Sequence, residues 1–143
     1  MPSIAASLMV LAAAAAEPEW TPTDGAAIVE LVECHAHTEA RLSEATAKLP
    51  AGGWTLAHQT LASQTAVHEH VGAILARAVD RQTRRALMEA YFPEGLATED
   101  SAVRVDRHVR CTRLYGAIHQ AALRAGARLP GWRAFRSPSA KIR

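Results

Sequence analysis

The sequence predicts an all-α protein, a small antiparallel bundle of three to four helices with an apolar N-terminal helix and an extended basic C-terminal arm. Three observations carry the prediction. Apolar residues recur at three- and four-residue intervals through most of the chain, no stretch shows the two-residue alternation of a half-buried strand, and prolines and glycines gather at the few points that divide the helical segments. Of the 143 residues 31 are alanine, within a hydrophobic fraction of 49%. Helix propensity is therefore high, while the apolar area buried per residue is small. The expected core is thin.

The chain divides at 1–23, 24–127 and 128–143. Ile4 to Ala16 is apolar on every side, and as a helix it would span about 20 Å, too short for a bilayer. Such a helix needs cover from its own core, a partner or a lipid surface. A secretory signal is the alternative, since Ala14, Ala15 and Ala16 suit a cleavage site, although no basic residue precedes the apolar stretch. Glu17 to Thr23, with Pro18 and Pro22, reads as a linker, and Thr23 or Asp24 can cap the next helix.

Ile28, Leu31, Val32, Ala36, Leu42, Ala45 and Leu49 trace one face of a helix from Ala26 to Leu49, which Pro50, Gly52 and Gly53 end. Leu56 to Phe92 contains no proline, and its apolar residues, from Leu61 through Val67, Val71, Ile74 and Leu75 to Leu87 and Tyr91, keep a helical period. A continuous helix there would exceed about 50 Å, so a break is expected at Gly72 or within Asp80 to Arg85. After the turn at Pro93 and Gly95, Thr98 with Glu99 and Asp100 marks the start of the last helix. That helix runs to about Ala125, with Val105, Val109, Leu114, Ile118 and Leu123 inward and Gly126 as its stop. Arg128 to Arg143 has no period and forms the arm.

The net charge of +2 is a cancellation. Residues 1–72 carry −6, residues 73–143 carry +8, and the last third from Ser101 carries +9. Of the basic residues 14 are arginine, the side chain suited to bidentate contact with carboxylate or phosphate. Arg104, Arg107, Arg110 and Arg113 form a ridge on the last helix, which Arg124 and Arg128 extend and Trp132, Arg133, Phe135 and Arg136 continue on the arm. A ridge and arm of this kind suit an acidic surface of another protein subunit, and RNA or anionic lipid by the same charge.

Seven histidines fall mostly on the predicted helices. A metal or haem in a bundle wants histidines and carboxylates one turn apart. Glu33 with His37 and His35 with Glu39 have that spacing, on different faces of one helix. His68 has glycine at position 72, and His70 diverges from it. His35, His37, His68 and His70 are thus weak candidates for a transition metal, with His58 and His119 in reserve. Cys34 and Cys111 are too few for a disulfide-rich scaffold, and a single bridge between them stays open. Glycine-rich phosphate loops, HExxH and GxSxG motifs are absent, so no catalytic residue is assigned and no cofactor is required.

The leading expectation is a non-enzymatic subunit of a larger assembly, docking through the arginine-rich helix, the arm and the apolar N-terminal segment. The alternatives are a histidine-rich metal- or haem-binding bundle and a nucleic-acid-binding accessory protein. An intracellular or organellar compartment, mitochondria included, is favoured, or a secreted or periplasmic one if residues 1–16 are a signal.

Overall fold

Four helices are present in the computed structural model, which describes residues 18–97 and 99–132: α1 (Gly25–Ala47), α2 (Leu56–Ala78), α3 (Arg81–Tyr91) and α4 (Ser101–Arg124). Among the described residues there is no strand, and the chain is the small helical bundle that its periodicity predicts. No helix among those residues is long and apolar enough to cross a membrane. The expected apolar helix at 4–16, the cap at Thr98, and Arg133, Phe135 and Arg136 of the arm lie outside the described residues.

Three helices begin at an aspartate whose carboxylate accepts a backbone N–H three residues on: Asp24 from Ala27 at 2.8 Å, Asp80 from Thr83 at 2.7 Å and Asp100 from Val103 at 2.9 Å. Each satisfies a donor that the first helical turn leaves orphaned. The break in the long central segment therefore falls at Val79 and Asp80, and Gly72 stays inside α2. The last helix likewise takes its cap from Asp100. Gly126 closes α4 in the left-handed region, at φ +91°.

His35 of α1 lies against Gly72 of α2, and Glu39 against His68, so numbers rise on one helix as they fall on the other. Cys34 of α1 joins Cys111 of α4, and His37 meets His108, again in opposite directions. Both long neighbours of α1 are thus antiparallel to it, and α3 is the short return that lets α2 and α4 run the same way. The core consists of Leu31, Val32, Cys34, Val67, Val71, Ile74, Leu75, Cys111, Tyr115 and Ile118, with Trp20 and Trp132 packed against it.

The inward face of α4 differs from the expected one. Val109 and Leu123 are exposed, and the buried positions are Arg107, His108, Cys111, Tyr115, Ile118, His119, Ala121 and Ala122. Three of these eight, Arg107, His108 and His119, are polar or charged, and the stripe is set by the disulfide, an ion pair and a tyrosine more than by aliphatic side chains.

Candidate metal centre

α1 packs against both α2 and α4, which also touch each other, and the two histidine and glutamate pairs of its sequence serve one neighbour each. Glu33 and His37 face α4, while His35 and Glu39 face α2.

On the α2 side His35, Glu39 and His68 each offer one ligand atom, and the three atoms lie within 4.8 Å of one another. Ligands held about 2.1 Å from an ion lie at most about 4.2 Å apart, so small side-chain rotations would close this set around one. The rings of His35 and His68 stack with centroids 4.3 Å apart. Nε2 of His68 is 2.5 Å from Glu39 Oε2, and its Nδ1 is 2.7 Å from the Tyr115 hydroxyl. Burial first, then the neighbouring His68 and Arg84, hold His35 well below the usual imidazole range, at about 4, against the opposing effect of Glu39. Its ring is neutral at pH 7 and its lone pair is free for a cation. The hydrogen bond from His68 keeps the Glu39 carboxyl below its ordinary value against the opposing effect of burial.

Gly72 makes room for the cluster. A Cβ there would stand 3.2 Å from His35 Nε2, and the missing side chain lets the imidazole edge approach α2 closely. Beneath His68, Tyr115 is fully buried and also hydrogen-bonds Thr38. Burial raises its hydroxyl far above the ordinary tyrosine range, so it remains a protonated phenol. His68 therefore has a neutral partner that can donate or accept. With Nε2–H given to Glu39, Nδ1 accepts from Tyr115; with Nε2 on a metal, Nδ1–H donates to Tyr115, whose own O–H is released toward Thr38.

The other candidate histidines have different partners. His37 Nε2 is 3.1 Å from His108 Nδ1, and His70 Nε2 pairs with Glu19 at 3.0 Å. His58 reaches back to Thr55 and closes a capping box at the start of α2, and His119 Nε2 donates to the Pro130 carbonyl at 3.0 Å. The structure thus joins His35 and His68 and separates both from His37 and His70. Glu39 is the member of the cluster that sequence reasoning left out as a partner of His68, because its contribution depends on the register of α1 against α2.

On the α4 side the arginine ridge takes a different form. Arg107 is 1% exposed; its Nε donates to Glu33 at 2.8 Å, and it also pairs with Glu99 and lies over the Phe92 ring. Arg110 donates to Glu33 at 2.9 Å and to Asp106 at 3.0 Å. Burial alone would raise the Glu33 carboxyl, but the hydrogen bonds and charges of Arg110 and Arg107 bring it below its usual value. Arg107 thus belongs to the interior and not to a docking ridge, because the carboxylates of Glu33 and Glu99 hold it there. Arg104, Arg113, Arg124 and Arg128 are exposed. Trp132 packs on Tyr115 with ring centroids 5.5 Å apart, which folds the start of the arm back onto the bundle.

These features define a class, a disulfide-linked helical bundle with a two-histidine, one-carboxylate cluster between its first two long helices. Comparison with protein-family models, with curated proteins and with solved structures finds no match for this chain.

Proposed function

We propose that the protein binds one divalent transition-metal ion through His35, Glu39 and His68. The observation that carries the reading is the convergence of three ligand atoms from α1 and α2 within 4.8 Å. Two imidazole nitrogens and a carboxylate suit zinc or iron(II), and three protein ligands leave a coordination position for water or a small ligand. The Tyr115 contact to the far nitrogen of His68 is the outer-shell partner such a ligand ordinarily has. The disulfide between Cys34 and Cys111 fixes α1 against α4 directly beside His35. It also favours the secreted or periplasmic alternative, where a bridge of this kind persists.

Docking to other subunits is the second reading, on the narrower surface of Arg104, Arg113, Arg124 and Arg128.

Zinc titration of untagged protein by calorimetry, with metal analysis of the same preparation, tests the proposal. One equivalent per chain is expected, with H35A and H68A each losing at least tenfold in affinity. Failure of the unaltered protein to bind zinc, iron(II) or copper(II) stoichiometrically at micromolar concentration overturns it.

A further inference from the structure

The side of the cluster that faces α3 opens into a cleft of about 510 Å³, walled by His35 and Glu39 on one side and by Arg81, Arg84 and Arg85 on the other, with Met88 at its edge. Arg81, Arg84 and Arg85 occupy one turn of α3, at i, i+3 and i+4, so all three share the face turned toward α1. Among the described residues none of their guanidinium groups has a hydrogen bond or an ion pair, and Arg84 bonds through its backbone N–H to the Asp80 carbonyl. Like charges at this spacing disfavour the helix, and the positive N-terminal end of α3 adds to the same potential. The cleft wall contains a single acid, Glu39, and that carboxylate is the one a metal would engage. Arg84 is half-buried, and its charge acts on both His35 and Glu39. With a divalent ion in place, the cleft would hold three guanidinium charges and the ion against one carboxylate.

We propose that this cleft binds a small, multiply charged oxyanion, held by Arg81, Arg84 and Arg85 at one end and by the open coordination position of the metal at the other. Planar guanidinium groups match carboxylate and phosphate oxygens in pairs, and both kinds of group are also good ligands for zinc or iron(II). The metal end of the site rests on the proposed function, whereas the arginine end stands independently of it.

The test measures binding of inorganic phosphate and of succinate by calorimetry at constant ionic strength, on zinc-loaded wild type, R84Q, H68A and K48Q. The expected result is 1:1 binding of at least one anion, weakened about tenfold in R84Q and in H68A and unchanged in K48Q. The stronger of the two anions shows whether phosphate or carboxylate is preferred. Absence of binding by both anions, or R84Q binding as tightly as wild type, overturns the proposal. Arginine-dependent binding by a protein that takes up no metal supports the arginine cleft and overturns the metal reading alone.

Discussion

Nε2 of His68 lies 2.5 Å from Oε2 of Glu39, across the contact between α2 and α1, while the other ring nitrogen is committed to Tyr115 at 2.7 Å. The ring is thus held at both ends, and its orientation is fixed before any ligand arrives. Tyr115→Phe removes one end and leaves the packing volume. Zinc affinity is expected to fall by about tenfold or more, the range for outer-shell changes, with stoichiometry kept at one. Stability should fall by only about 1 kcal/mol in urea unfolding. An unchanged zinc affinity would show that Tyr115 does no more than fill the core.

Gly72→Ala separates helix propensity from site geometry. Alanine is the better helix former by about 1 kcal/mol, and the backbone here is ordinary helix. The new methyl would stand 3.2 Å from His35 Nε2, however, and displace the ring by a few tenths of an ångström. Thermal unfolding should therefore show a variant at least as stable as wild type, while calorimetry shows zinc binding weakened by about tenfold.

Arg107 is a buried cation whose removal leaves Glu33 without its best-buried partner. Arg107→Met is expected to cost about 3–5 kcal/mol, as for breaking one side of a buried pair, whereas Arg104→Ala on the exposed side should stay within about 0.5 kcal/mol. Combining Arg107→Met with Glu33→Gln should cost less than the two singly, because the orphaned charge is gone. Equilibrium unfolding in urea distinguishes these outcomes.

The fold was readable because its signals are local. Helix periodicity, the proline and glycine breaks and the glycine stop each depend on residues within one or two turns. The face of α4 was not readable in this way. Its valines, Val105 and Val109, have the spacing of a buried stripe, but Arg107, Cys111 and Tyr115 have it too, and the choice between them is made by Glu33, Cys34 and His68 on other helices. The same reason hid the metal cluster. His35 and Glu39 were visible as a one-turn pair, and His68 stood alone with glycine a turn away; only the register of α1 on α2 puts them together. That glycine, which removed a ligand from the expected pattern, makes space for the imidazole of the other helix.

The disulfide spans 77 residues of sequence and joins the middle of α1 to the middle of α4. Closing a loop of that length in the unfolded chain is worth about 4 kcal/mol in the entropic account. Cys34→Ala with Cys111→Ala, or reduction of the wild type, should lower the urea midpoint accordingly. Because His35 follows Cys34 directly, zinc affinity should also fall in the double variant. A midpoint unmoved by reductant, with both thiols shown to be free, would contradict this account.

Acid sensitivity follows from the two imidazoles held neutral inside the metal-free bundle. Burial, with the charges of His68 and Arg84, brings His35 to about 4 against Glu39, which opposes the shift. Burial, with the charges of His108, Arg107 and Arg41, does the same to His37 against Glu33. Above about pH 7.5 both rings are neutral in the folded and unfolded chains, and they contribute no pH dependence. Between about 7.5 and 4 the unfolded chain takes up protons that the folded chain refuses, so stability falls as pH falls. The loss is on the order of 1 kcal/mol per ring once solvent screening is allowed for. Glu33 adds a second, more acidic limb, since its lowered carboxyl contributes stability that is lost on protonation below its ordinary range. Urea midpoints measured from pH 7 to pH 5 in chelator should therefore decline, and His37→Gln should decline less steeply than wild type over the same interval. Equal midpoints at pH 7 and pH 5 in the wild type would mean that neither ring is held neutral by the fold.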